Sequence, residues 1–310
     1  MNKSFFLGTF FMVVFALGIL SDQCVLAQKK KKEKADRQAN IHVLLVDGQS
    51  KNHAHWKEWT PVLLKQLDDA GLFRLNVATA PIKGESLDKF NPKFKNYDVV
   101  ISTYDGDNWS MRTKRNLEKY IEKGGGLVVI HAADNAFADW ENYNTMIGLA
   151  GWGDRTQSAG PYVYIDNKGE TIRDTSPGNA GHHGPQHEYL VEIRAPEHPI
   201  MKDLPSRWLH AEDELYDHLR GPAINLNVLA TAYSDERHDG SLHHEPVLMA
   251  ITYGSGRVFH TTMGHDRLAL SCVGFMTTFI RGCEWAANRQ VSFEVPPDFP
   301  KERQSSVRAY

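Results

Sequence analysis

Histidines and carboxylates crowd into two short stretches of this chain. "GHHGPQHEY" (181–189) sets His182, His183 and His187 beside Glu188, among two glycines and a proline. "LHAEDELYDHL" (209–219) packs His210, Glu212, Asp213, Glu214, Tyr216, Asp217 and His218 into nine positions. Neutral imidazole is a base or a metal ligand near neutral pH, and carboxylates partner it in both roles. Zinc- and manganese-type cations take such His/carboxylate mixtures, which makes His182, His187, His210 and Glu214 candidate ligands. No H-E-x-x-H or comparable tight motif is present, so substrate-binding or proton-transferring histidines remain the other reading. If 209–219 is helical, His210, Glu214 and His218 share a face; if extended, His210, Glu212, Glu214 and Tyr216 do.

These groups need elements to position them. "IHVLLVD" (41–47) is an apolar, β-branched run ending at Asp47-Gly48, a strand followed by a turn. "TPVLLKQLDDAG" then reads as a helix with Thr60 as N-cap, Pro61 at its first position and Gly71 as its stop. "FRLNVATA" (73–80), "YDVVIST" (97–103) and "GLVVIHAAD" (126–134) are further strands, with the amphipathic helix "TKRNLEKYIEKGGG" before the last. Unbroken apolar strands alternating with helices predict a doubly wound parallel sheet. From about 136 to 222 that pattern dissolves into a Gly-, Pro-, Trp- and His-rich excursion with short strand-like pieces, "PYVYID" and "EYLVEIR". Regularity returns with "LNVLATAYS" (226–234), a hairpin turning at Gly254-Ser255-Gly256 and a helix over roughly 267–287.

Open parallel sheets bind ligands at the carboxyl ends of their strands. The residues found there are Asp47, His53 and His55 after the first strand, and Tyr104, Asp105 and Asp107 after the third. His131, Asp134 and Asn135 follow the fourth, and His265 and Asp266 follow the hairpin. Asp105 and Asp107 read as turn and cap residues; His131 and His265 read as functional. Catalytic candidates are therefore His131, His182, His187, His210, Glu214 and His265. Asp47, His53, Asp134, Asn135, Trp152, Tyr216 and Asp266 are candidate substrate contacts. Aromatic rings in the excursion, Trp140, Trp152, Trp208, Tyr143, Tyr162, Tyr164 and Tyr216, suit the apolar faces of sugars. There is no G-x-S-x-G and no cysteine near a strand end, so nucleophilic acyl chemistry is not expected.

The first 27 residues read as a cleaved secretory signal, with Lys3 ahead of the apolar Phe5–Leu20 and small residues up to Ala27. An uncleaved N-terminal anchor is the alternative. Residues 28–39 form a lysine-rich spacer, and without these two segments 28 basic and 35 acidic residues remain. An acidic body of about 270 residues excludes nucleic acid as the expected partner. It predicts no membrane span after signal cleavage, and a periplasmic or secreted location. Cys272 and Cys283 lie eleven residues apart in one predicted helix, about 16 Å along its axis, too far for a disulfide.

"GGGLVVIHAADNAFADWENYNTMIGLAGWGDR", "AGHHGPQHEYLVEIRAPEHPIM", "WLHAEDELYDHLRGP" and "HEPVLMAITYGSGRVFHTTMGHD" strongly resemble the ThuA-like family, named for trehalose utilisation. The resemblance covers roughly residues 40 to 290, ahead of a tail over 291–310. It implies a flavodoxin-like fold similar to class I glutamine amidotransferases. Those enzymes carry a nucleophilic cysteine where this chain has His131, so amidotransferase activity is not implied. A disaccharide or keto-sugar substrate is implied, handled by acid/base and conceivably metal-assisted chemistry, with a non-catalytic carbohydrate-binding protein as the alternative. Of the three histidines in 181–189, His182 and His187 are expected to point inward.

Overall fold

A computed structural model describes residues 41–50 and 56–310. The signal, the basic spacer, His53 and His55 lie outside the described residues.

The first strand sorts its own side chains. Along β1 (Ile41–Asp47), Val43 and Leu45 enter one apolar cluster while Leu44 and Val46 enter another, because successive residues of a strand point to opposite faces. β3 (Val99–Ser102) and β4 (Gly126–Ile130) divide in the same way, Ile101 and Val128 to one side, Val100 and Val129 to the other. Each cluster needs a cover. α1 (Trp56–Ala70) and α5 (Val273–Asn288) close the first, and α2 (Met111–Glu122) and α3 (Glu141–Ile147) the second.

β2 (Phe73–Thr79) pairs in parallel with β1, β1 with β3, β3 with β4, and β4 with β13 (Gly256–Thr261). Beyond β13 the sheet turns antiparallel, through β12 (His244–Tyr253), β11 (Leu226–Tyr233), β8 (His187–Ile193) and β9 (Arg207–Asp213). The expected parallel sheet runs through five strands, and the expected hairpin at Gly254–Gly256, whose tight turn permits only antiparallel pairing, opens the antiparallel part.

The excursion is less loop-like than its composition suggests. It supplies β8 and β9 to the main sheet, the hairpin of β5 (Tyr162–Ile165) and β6 (Thr171–Asp174), and a two-residue ribbon of β7 (His182–His183) with β10 (Tyr216–Asp217). Two further expectations are corrected. The first helix begins at Trp56, leaving Pro61 inside it and Thr60 free to donate to Asp47 Oδ2 at 2.6 Å. The last helix breaks at Cys272, between α4 (Arg267–Ser271) and α5; both cysteines are nonetheless buried and free. The 291–310 segment lies against the fold: Lys301 O accepts from Leu209 N, and Phe299 packs on Trp208. It thereby covers part of the edge strand β9.

Candidate functional site

His131 follows β4 directly, in the left-handed backbone region at φ +45°. A non-glycine residue there is strained, and such strain concentrates at functional sites. Its ring is buried between Trp59, edge-on at 6.5 Å, and Tyr216 at 4.2 Å. Nδ1 lies 2.6 Å from Thr262 O. A carbonyl can only accept, so Nδ1 carries a proton, and whenever the ring is neutral its lone pair is on Nε2.

Nε2 faces a group of polar side chains. The Tyr216 hydroxyl lies at 2.8 Å, His265 Nδ1 at 3.3 Å and Glu214 Oε2 at 3.6 Å. His265 Nδ1 and Glu214 Oε2 are themselves 2.9 Å apart. Burial pushes His265 down, but its hydrogen bond to Glu214 and that carboxylate's charge outweigh burial and raise it. His183 completes the group: its Nδ1 donates to Gly184 O at 2.9 Å, and its Nε2 lies 3.7 Å from the same Glu214 oxygen.

Asp213 holds the loops that carry these groups. It is fully buried; Oδ1 accepts from the backbone N–H of Glu214 and of His265, both at 2.9 Å, and Oδ2 from Gly264 N at 2.7 Å. His210 Nε2 reaches the same Oδ2 at 3.0 Å. His210 is thus a support beneath the site, fully buried and away from its opening.

The ribbon explains which histidine points inward. In its register Tyr216 opposes His183 and Asp217 opposes His182, so His183 shares the face of Tyr216 and His182 the other. The expected inward pair is corrected accordingly. His182 Nδ1 lies 2.9 Å from Asp217 Oδ1, which also meets His218 Nδ1 at 2.7 Å. His187 stacks on His238 at 3.8 Å, its Nδ1 donating to Pro185 O. Neither joins the His131 group, and the 209–219 stretch is extended, not helical.

The candidate substrate contacts divide. Trp152, half-buried at φ +50°, sets its ring 4.6 Å from Tyr216 and 5.9 Å from His183. Asn135 is buried nearby. Asp134, by contrast, is fully buried beside His260 Nε2 at 3.4 Å. Asp266 caps α4 through Ala269 N, and Asp47 accepts from Thr60. A cavity of about 630 Å³ lies at the opposite ends of β3 and β4 between Lys93, Tyr97, Lys119 and Tyr120, with no histidine in its lining.

Sequence reasoning names His183 and Asp213 without choosing them and misses Thr262 and Arg155. The Arg155 guanidinium donates to Asn135 O, Gly151 O and Ala136 O and to Asn144 Oδ1, at 2.7–3.1 Å. It ties the segment after β4 to the one bearing Trp152. Arg155→Ala leaves these buried carbonyls unpaired and is expected to cost about 3 kcal/mol, read as a lower Tm in thermal unfolding; an unchanged Tm refutes the role.

The family model described as "ThuA: Trehalose utilisation" matches residues 42–286. The chain is similar to the crystal structure of a ThuA-like protein of Parabacteroides merdae, at 41% identity and TM-score 0.83, covering 86% of this chain and 97% of that one. A ThuA-like protein of Bacteroides uniformis shares the fold at 18% identity and TM-score 0.55, covering 81% and 94%. No curated protein matches at a significant level.

Proposed function

The chain belongs to the ThuA family, whose description is trehalose utilisation, and on that premise we propose that it is an enzyme moving protons on a disaccharide or its keto derivative. The observation that carries this reading is the convergence of His131 Nε2, Glu214 Oε2 and His265 Nδ1 within 3.6 Å of one another at the sheet's carboxyl end. A hydroxyl proton, or a C–H proton beside a ketone, is removed by a neutral imidazole, and His131 presents that lone pair. The Tyr216 hydroxyl and the Glu214–His265 pair stand within reach to return a proton to the developing oxyanion or leaving oxygen. Isomerisation, elimination and hydrolysis all run on such a pairing of acid and base. The Trp152 ring offers a flat apolar wall on which a sugar face stacks.

The leader-like first 27 residues support an exported enzyme, working in the periplasm or outside the cell. No helix among the described residues is long and apolar enough to cross a membrane.

The test is incubation of purified protein with trehalose, other disaccharides and their keto derivatives, followed by NMR. Consumption of at least one sugar, lost in Glu214→Gln, is the expected result. Sugar binding without turnover favours the carbohydrate-binding alternative; neither binding nor turnover sinks both readings.

A further inference from the structure

We infer that His131 Nε2, His265 Nδ1 and Glu214 Oε2 together bind one divalent transition-metal cation, of the zinc or manganese type. The inference deepens the reading above and changes one part of it: with an ion in place the His131 lone pair would be a ligand, and proton removal would be assisted by the ion's charge; the ion's role rests on that reading, its existence does not.

The first support is spacing. The three atoms are separated by 2.9, 3.3 and 3.6 Å. Ligands about 2.1 Å from a tetrahedral ion stand about 3.4 Å from one another. An ion therefore fits against all three with small side-chain shifts and keeps a coordination position for another oxygen.

The second support is orientation. His131 and His183 each commit Nδ1–H to a backbone carbonyl, Thr262 O and Gly184 O. Each then turns Nε2 toward one carboxylate oxygen, at 3.6 and 3.7 Å, the His131 Nε2 also meeting the Tyr216 hydroxyl at 2.8 Å. A backbone carbonyl that fixes the tautomer of the ring is the outer-shell partner that metal-bound histidine regularly has. His183 is placed to approach from the open side or to bond to a molecule that fills it.

The third support is rigidity. His131 is packed between two aromatic rings, and Asp213 clamps the backbone of both Glu214 and His265. A pre-positioned donor set loses little freedom on binding. The other histidine–carboxylate group, His182, Asp217 and His218, differs. Its carboxylate is already engaged by Ser234 Oγ and Ser241 N, and its His182 lies on the ribbon face away from Tyr216 and Trp152. With nitrogen and carboxylate ligands the first site suits a Lewis acid, which polarises a bound sugar carbonyl or lowers the pKa of a coordinated hydroxyl.

The experiment is metal-free protein titrated with zinc and, separately, manganese chloride by calorimetry, with unfolding followed in parallel. One ion per chain is expected, with affinity at least about 100-fold weaker in Glu214→Gln and in His265→Ala, and unchanged in His182→Ala. Melting curves without metal show that each variant is folded. No binding of either ion, or binding lost in His182→Ala and kept in Glu214→Gln, overturns the site. Binding without turnover of any sugar leaves the site standing and removes the enzymatic reading; turnover by a protein that binds neither ion does the reverse.

Discussion

His131→Asn is expected to lower sugar turnover about 1,000-fold while leaving the fold intact. The magnitude follows from removing the group that accepts the proton, or that holds the ion assisting its removal, and the choice of asparagine from the backbone. At φ +45° asparagine is among the few side chains at ease, so the variant isolates chemistry from strain. Its shorter side chain withdraws from Tyr216 Oη, His265 Nδ1 and Glu214 Oε2, which meet the imidazole at 2.8–3.6 Å. His131→Ala should lose as much activity, and in addition about 1 kcal/mol of stability from a strained alanine, a Tm lower by about 2–4 °C than that of the asparagine variant. Steady-state kinetics beside melting curves separate the two effects. Turnover within tenfold of the parent in His131→Asn would remove His131 from the chemistry.

His131 and His265 could be found from the sequence because the strands before them are unmistakable and ligands gather at such ends. Glu214 was visible as part of a dense acidic cluster. What failed was choosing among neighbours. His182 and His183 are adjacent, and one step of strand register exchanges their faces; nothing in 181–189 fixes its pairing with Tyr216 and Asp217. Asp213, next to Glu214, went unchosen for a related reason. Its importance comes from the backbone N–H groups of Gly264 and His265, about fifty residues away, and no local pattern encodes them. Strand β8 shows in the sequence as "EYLVEIR", whereas 209–219 leaves helix and strand open, and the place of β8 and β9 at the end of the central sheet depends on antiparallel pairing through β11. Composition made the excursion look like loops because its strands are short and polar on one face.

Asp213→Asn is expected to destabilise the protein by about 3–5 kcal/mol, the range for breaking a buried charge pair from one side. Burial pushes the Asp213 carboxyl up, and the hydrogen bond and charge of His210 outweigh it, holding the group below its ordinary value. Burial likewise opposes the charge on His210, but the Cys272 sulfur and Asp213 overcome it and push His210 up to about 10. An asparagine amide turns N–H toward backbone N–H donors that need acceptors, and leaves an imidazolium in the interior without its counter-charge. At roughly 270 residues the loss corresponds to a Tm lower by roughly 10 °C. A pH dependence accompanies it. Because His210 titrates higher folded than unfolded, its contribution is complete below about pH 6.5 and is lost as pH rises toward 10. The stability gap between parent and variant should therefore narrow across that interval, which denaturant unfolding at pH 6, 8 and 10 measures. A gap under 1 kcal/mol at pH 6 would mean that Asp213 is held neutral. If Asp213 is charged, the same variant also releases the backbone of Glu214 and His265, so metal affinity and turnover should fall together at temperatures where the protein is still folded. Such a coupled loss distinguishes a residue that builds the site from one that only stabilises the sheet beneath it.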